Sequence, residues 1–186
     1  SVDAEMLTEW IRVPLITADI GSARELIRYL DDRGALLDAW QSLRTGQAEL
    51  PGRDGSSPAE FAYLLAQYAA GTADPEAVPA FLRLALEYDP RHPWVANDLG
   101  YRLLEGEGSV AEAERLIAIA YEQLSDEAAI VDSLGWARYH LGQLEDSTDP
   151  ESGEIIPGAV TLLRKAAELA GDDDDGVVSD HLGDAL

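Results

Sequence analysis

A Leu-Gly pair recurs at three places where the flanking residues also align, and this repetition constrains the fold more than any other feature. The three copies are Asp98-Leu99-Gly100-Tyr101, Ser133-Leu134-Gly135-Trp136 and His181-Leu182-Gly183-Asp184. The first two glycines are 35 residues apart, and the last two are 48 apart. The longer interval contains an insertion at residues 145–157. Self-similarity at a period of this length is typical of a repeat architecture.

The stretches between these pairs are predicted to be helices. Their apolar residues recur three and four apart, as in Ile130, Leu134, Ala137 and Leu141. Ser109 followed by Glu112 reads as a capping box, and glycines such as Gly142 stand where helices should stop. Because the predicted connections are short, successive helices should pack as antiparallel neighbours.

The glycine of each pair has a packing role in this scheme. A first helix with glycine at the crossing lets a second helix approach closely, and the second helix then needs small residues. Ala113 with Ala120, and Ala159 with Ala166, supply them at a spacing of seven, on one face. A hairpin of this size cannot bury its own apolar face, so we expect the hairpins to stack.

Composition narrows the function classes. The chain has 13 basic and 36 acidic residues and a formal net charge of −23. Nucleic acid and anionic membrane surfaces would be repelled, whereas a basic protein partner is compatible with this charge. The chain has no cysteine, which excludes disulfides and thiolate metal sites.

The sequence gives little information about where the protein is located. No apolar run approaches the length of a membrane span, and no signal segment opens the chain. The first residue is Ser1 rather than Met, so we expect a processed or trimmed piece. The compartment stays unknown.

These features resemble the tetratricopeptide repeat (TPR) family, and residues 132–139 resemble its bacterial members especially closely. The family's first helix carries the Leu-Gly pair, its second helix carries residues like Ala113, Ile117 and Ala120, and a proline such as Pro90 often ends the repeat. The resemblance implies an all-α fold, a right-handed superhelical α-solenoid of antiparallel helix hairpins. It covers residues 57–186.

We divide the chain accordingly. Residues 1–50 form an N-terminal helical segment of degenerate repeat helices or a cap. Residues 57–186 form the TPR-like repeats, with these predicted boundaries: 57–90, 93–125, 128–170 with the insertion 145–157, and a final helix 177–186.

Catalytic and metal motifs are not found. The three histidines, His92, His140 and His181, fit no metal-binding spacing, and no nucleophile elbow, P-loop or dinucleotide-binding run is present. The acidic insertion at residues 146–154 superficially resembles a calcium loop but lacks the EF-hand order, so a surface turn or short hairpin on residues 150–153 is favoured. We therefore predict no catalytic residue, no metal and no cofactor.

In the resembling family, the first helices line a concave groove that receives a peptide. Aligned on the Leu-Gly pair, the corresponding positions mix aromatic, acidic and amide side chains, which would favour a protein or peptide partner bearing Lys or Arg. The predicted groove residues are Phe61, Leu65, Tyr68, Trp94, Asn97, Asp98, Tyr101, Asp132, Ser133, Trp136, Tyr139, His140, Asp180 and His181. Trp136 and Tyr139 have an alternative role, in which they pack against neighbouring helices and stabilise the stack.

The leading functional hypothesis is a non-catalytic scaffold or adaptor that binds a partner segment in this groove. One alternative is self-assembly as a homo-oligomer through the C-terminal helix, whose Leu182 and Leu186 would be partly exposed. Another is an accessory region of a larger enzyme or of a secretion or assembly complex.

Overall fold

The structure is a computed structural model that describes residues 59, 62–63, 66–67, 70, 78–106, 108–171 and 176–186. The chain divides into two compact units, Ser1–His92 and Pro93–Leu186. Predictions for residues 1–50, and for Phe61, Leu65 and Tyr68, lie outside the described residues. The predicted repeat boundaries therefore stay predictions.

In the first unit, helix α1 spans Val78–Tyr88 and buries Phe81, Leu82 and Ala85. Alanines at 59, 62 and 66 are also helical and almost fully buried. The turn after α1 is closed by Asp89, whose carboxylate accepts a hydrogen bond from the Arg91 backbone N–H at 3.1 Å.

The second unit consists of five helices: α2 (Pro93–Glu105), α3 (Val110–Tyr121), α4 (Ala128–His140), α5 (Ala159–Ala170) and α6 (Val177–Ala185). Helix α2 packs mainly on α3, and α4 packs mainly on α5. Helix α6 lies against α5 and α4. The predicted all-α, TPR-like fold is confirmed, with two helical hairpins followed by a single helix.

The ends of these helices follow the predicted punctuation. The Ser109 hydroxyl accepts a hydrogen bond from the Glu112 backbone N–H at 3.3 Å and caps α3. After α4, Gly142 takes a φ of 70°, its N–H bonds to the Tyr139 carbonyl, and the Gln143 N–H bonds to the Arg138 carbonyl. This pair of bonds is a Schellman motif, which ends α4 at a residue able to adopt left-handed backbone.

Two of the three Leu-Gly glycines lie at close helix crossings. A Cβ added at Gly100 would stand 2.6 Å from Ile117 Cγ1 of α3, and one added at Gly135 would stand 2.7 Å from Leu163 Cγ of α5. Any side chain at either position would push the second helix away. The core that results includes Ile117, Leu134 and Leu162, each at most 1% exposed.

The insertion between α4 and α5 is a short β-hairpin, as favoured by its sequence. Strand β1 (Ser147–Thr148) pairs antiparallel with β2 (Ile155–Ile156). At the turn, Asp149 Oδ1 accepts hydrogen bonds from the backbone N–H groups of Glu151 and Ser152, and these bonds lower the pKa of the Asp149 carboxyl.

Two side chains connect the insertion to the helices around it. Asp146 Oδ1 accepts from the Gly158 N–H at 2.8 Å, and the pKa of Asp146 is lowered by that bond and by the Thr161 hydroxyl. Arg138 of α4 donates to the Pro157 carbonyl and also pairs with Glu114 of α3, at 3.4 Å. These contacts fix the start of α5 relative to α3 and α4.

None of the helices in the described segments is long and apolar enough to cross a membrane.

Candidate partner-binding groove

The first helices of the second unit line an open cavity of about 590 Å³. Helix α2 contributes five lining residues, α4 contributes three and α6 contributes two. The cavity, called the acidic groove below, is lined by Asn97, Asp98, Tyr101, Arg102, Glu105, Ala129, Asp132, Ser133, Val177 and Val178.

The helical repeat explains why these residues share one surface. Asp98, Tyr101, Arg102 and Glu105 are spaced three and four apart, so they form one face of α2. Counted from the Leu-Gly glycine, Asn97 in α2 occupies the same position as Asp132 in α4, and Asp98 corresponds to Ser133. The groove therefore forms where equivalent positions of two successive first helices face one another.

The charges in the groove favour a cationic ligand. Asp98, Glu105 and Asp132 carry carboxylates, while Arg102 supplies the one guanidinium among the lining residues. A bound Lys or Arg side chain would find the carboxylates of Asp98 and Glu105 on α2, since Asp132 on α4 is buried. Exposed ion pairs contribute only about 0.2–1 kcal/mol each, so the groove would depend on several contacts together.

Asn97 is the polar side chain of α2 that is most deeply placed in the groove. It is 8% exposed, and its Oδ1 is buried without a hydrogen-bond partner among the described residues. A buried acceptor left unpaired costs about 1–3 kcal/mol. Because this oxygen is covered in the described structure, a donor on a bound segment could reach it only after the Asn97 side chain had rotated.

Ser133, which faces α2 from α4, is already satisfied. Its hydroxyl donates to the Ala129 carbonyl one turn earlier, at 2.8 Å. This back-bond within α4 leaves the hydroxyl turned toward its own helix. Ser133 therefore contributes shape rather than a hydrogen bond to Asn97.

Asp132, unlike the equivalent Asn97, makes a side-chain hydrogen bond to the first helix of the next repeat. The Asp132 carboxylate lies 2.9 and 3.0 Å from Nδ1 of His181 on α6, and both side chains are buried. A carboxylate can only accept here, so Nδ1 carries the hydrogen. The Asp132–His181 pair fixes the orientation of the imidazole and joins α4 to α6.

An aromatic stack reinforces the same junction. The Trp136 ring lies parallel to the His181 ring, with centroids 4.1 Å apart and an interplanar angle of 11°. Tyr139 stacks on Trp136 at 4.9 Å and 8°, and His140 meets the Trp136 ring edge-on at 4.6 Å. The three parallel rings of Tyr139, Trp136 and His181, called the ring stack below, pack α4 against α6.

Known proteins resemble the chain in sequence and in fold. No family model matches the chain. A TPR repeat-containing protein of Pseudomonas aeruginosa, PA4667, is 29% identical over 109 residues, which make up 59% of this chain and 18% of that protein. The chain thus spans less than a fifth of the length of this curated relative.

A solved structure shows the same fold. The structure of YrrB, described as a TPR protein with an unusual peptide-binding site, matches 86% of this chain and 70% of its own, with 16% identity and a TM-score of 0.53. The chain has the tetratricopeptide repeat fold. This confirms the resemblance that the Leu-Gly pairs indicated.

The TPR register predicted fourteen groove residues, and those that the structure describes fall into three groups. The groove lining includes Asn97, Asp98, Tyr101, Asp132 and Ser133. Trp136, Tyr139, His140 and His181 instead form ring contacts between or along α4 and α6. Trp94 (39% exposed) and the exposed Asp180 lie outside the lining. Their part in binding stays a prediction.

Five residues that line the acidic groove were not among the predicted groove residues: Arg102, Glu105, Ala129, Val177 and Val178. Arg102 and Glu105 follow Asp98 at intervals of four and seven, a helical spacing that was available in the sequence. Ala129 and Val177 occupy the same repeat position as Trp94, so alignment on the glycines would have found them too.

Metal binding has no support in this site. Within the described ranges, no group of three His, Cys, Asp or Glu side chains is placed to hold a metal ion. The Asp132–His181 pair is a two-residue contact stacked beneath Trp136, which suits a structural junction.

Proposed function

We propose that the chain is a protein-interaction scaffold whose acidic groove binds an extended partner segment that carries Lys or Arg. The observation that carries this proposal is the cavity of about 590 Å³ between α2, α4 and α6, whose lining includes the carboxylates of Asp98 and Glu105 and the side chain of Asn97. A cavity of this size fits a few residues of a peptide rather than a folded domain.

The two kinds of lining group would act differently. Asn97 supports recognition of the peptide backbone, because an amide can pair with a backbone N–H whatever the side chain. Asp98 and Glu105 support recognition of cationic side chains, and the chain's net charge of −23 would increase the association rate of a basic partner. Tyr101 would add apolar contact area at a small cost in conformational entropy.

The relatives support the same class of function. YrrB is described as having a peptide-binding site, and the Pseudomonas protein is named for its TPR repeats. TPR modules act chiefly as non-catalytic interaction surfaces, so we propose that the chain binds its partner without a chemical step.

The test uses terminally blocked, fluorescent decapeptides in which two central positions are Lys or Arg, with matched peptides carrying Glu there. Fluorescence polarisation should show saturable binding of the basic peptides alone. The variant Asp98→Asn/Glu105→Gln should weaken binding roughly tenfold and flatten its dependence on salt, since two charge contacts of about 0.7 kcal/mol each are removed.

The matched control is Glu168→Gln, which removes one carboxylate from an exposed position on α5 outside the groove. It should bind as the parent does. Equal binding of basic and acidic peptides, or an equal loss in the control variant, would rule out the proposed groove.

A further inference from the structure

The side chains of α2 that line the acidic groove alternate in charge. Asp98, Arg102 and Glu105 follow one another at intervals of four and three residues, which places them within an arc of about 60° on the helix surface. Because an α-helix rises about 1.5 Å per residue, Arg102 lies about 6 Å along the axis from Asp98, and Glu105 lies about 10.5 Å from it. The three residues therefore present negative, positive and negative charge in one line, called the charge row below.

The middle and last charges of the row are accessible to a ligand. Arg102 and Glu105 are exposed, and neither side chain has an ion-pair partner among the described residues. The Arg102 guanidinium would repel a cation placed between the two carboxylates, whereas it would attract a carboxylate in the same place. A uniformly basic segment is therefore not the best complement of this surface.

The length of the groove suits an extended segment that lies along the charge row. The lining residues of α2 run from Asn97 to Glu105, about 12 Å along the axis, while those of α4 cover about one turn. The long dimension of the groove therefore follows α2. In an extended chain the side chains on one side recur every second residue, about 6.7 Å apart, which is close to the separation of Asp98 and Arg102.

The third charge also falls within reach of such a segment. A side chain four residues further along an extended chain lies about 13 Å away, compared with about 10.5 Å between Asp98 and Glu105. The flexible four-carbon stem of a Lys can span the remaining distance. Alternate residues of one bound segment can thus face Asp98, Arg102 and Glu105 in turn.

A second copy of the chain does not match the charge row. Each copy carries a net charge of −23, so two copies repel one another. Arg24 and Arg28 are the one pair of basic residues four positions apart in the sequence, and Leu26 stands between them. A segment with an acidic residue between two basic ones at this spacing is therefore not present within these 186 residues.

We infer that the acidic groove selects segments of the form Lys/Arg-x-Asp/Glu-x-Lys/Arg over uniformly basic segments, and that Arg102 determines this preference. The inference rests on the proposed function and narrows the class of partner. The two basic residues pair with Asp98 and Glu105, and the acidic residue pairs with Arg102. Because the charge row has the same order from either end, the preference does not depend on the direction of the bound chain.

The test compares two terminally blocked, fluorescent decapeptides that differ at one position, with Lys-x-Glu-x-Lys or Lys-x-Lys-x-Lys at the centre and Ser at each x. Fluorescence polarisation in about 0.15 M salt limits long-range attraction by the acidic chain, since charges more than about 8 Å apart are screened. The parent should bind the Glu peptide about threefold more tightly than the Lys peptide, as expected for one exposed charge contact that is attractive in one peptide and repulsive in the other.

Charge reversal at position 102 gives the sharpest result. Arg102→Glu should reverse the preference, so that the ratio of the two affinities changes about tenfold, because both the protein and the peptide charge change sign across the cycle. Arg102→Gln, which retains a long side chain of good helical propensity, should change the ratio about threefold. Circular dichroism checks that both variants keep the helix content of the parent.

The matched control is Arg115→Glu, at an exposed position of α3 outside the groove lining. It changes the net charge of the chain by the same amount as Arg102→Glu. The ratio of the two affinities should stay within twofold of that of the parent, since no peptide charge lies beside this residue.

The outcomes separate this inference from the proposed function. If neither peptide binds saturably, both the proposed function and the inference fail. If both peptides bind and the affinity ratio is the same in the parent, Arg102→Glu and Arg115→Glu, the groove binds basic segments but the order of charges has no part in selection. A parent that prefers the Lys peptide would also overturn the inference and would identify a uniformly basic segment as the occupant.

Discussion

The contact between α2 and α4 can be compared directly with the contact between α4 and α6, because residues at the same repeat positions meet in both. From α4 to α6, Asp132 pairs with His181 and Trp136 stacks on the same imidazole. From α2 to α4, Asn97 occupies the position of Asp132, and Ser133 occupies that of His181. There the amide oxygen has no partner, and the Ser133 hydroxyl bonds to its own helix.

The difference shows how one repeat register yields both a structural junction and an open cavity. A carboxylate with an imidazole bridges two helices and closes the space between them. An amide opposite a serine is too short to bridge, so a cavity remains between α2 and α4. The acidic groove thus lies between α2 and α4, where the side chains of Asn97 and Ser133 do not hydrogen-bond to one another.

The largest expected effect comes from removing the ring stack. Trp136→Ala should lower the free energy of unfolding by about 3 kcal/mol, since truncating a buried aromatic ring typically costs 3–5 kcal/mol and Trp136 is only half-buried. Tyr101→Ala, the equivalent change in α2, should cost about 1 kcal/mol. Urea unfolding followed by circular dichroism measures both values.

Trp136→Phe provides the control for that comparison. It retains an aromatic ring for His181 and removes the indole N–H, which is buried without a partner in the described structure. Its cost should stay within about 1 kcal/mol, because no hydrogen bond is lost. Equal destabilisation by Trp136→Ala and Tyr101→Ala would show that the aromatic ring contributes no more to the α4–α6 contact than to the α2–α4 contact.

The sequence predicts the hairpins well because they depend on patterns within each helix: the Leu-Gly pairs, the alanine spacing and the Ser109 cap. The sequence does not predict which of the equivalent residues line the acidic groove and which join α4 to α6. Trp136 and Tyr101 share a repeat position, and only the neighbour on the next helix decides which of them stacks. His181 was assigned to the groove for the same reason, since its pairing with Asp132 joins residues 49 positions apart.

The second prediction compares the equivalent polar residues. Asp132→Ala should lower the stability of α6 docking by about 2 kcal/mol, because it leaves the buried His181 imidazole without its acceptor. Asn97→Ala should change stability by less than about 0.5 kcal/mol, since its amide oxygen has no partner to lose. Amide hydrogen exchange in α6 separates local release of this helix from global unfolding.

A matched change at the other end of the pair tests the source of that effect. His181→Ala should release α6 to a similar extent, and the double variant with Asp132→Ala should cost less than the sum of the two single changes. Strict additivity would show that the two side chains act independently.

The smallest expected effect comes from building the missing contact. Asn97→Asp together with Ser133→His copies the α4–α6 chemistry into the α2–α4 step, where the backbone positions are equivalent. We expect a gain of about 1 kcal/mol in stability, the typical net contribution of one hydrogen bond, and a coupling between the two substitutions in a double-mutant cycle.

The new side chains would also fill the groove, so binding of basic peptides should fall even though the lining gains a carboxylate. Loss of binding with a gain in stability would show that the groove exists because this step is unpaired. Tighter peptide binding would instead mean that charge alone governs recognition, and that the unpaired amide of Asn97 has no part in it.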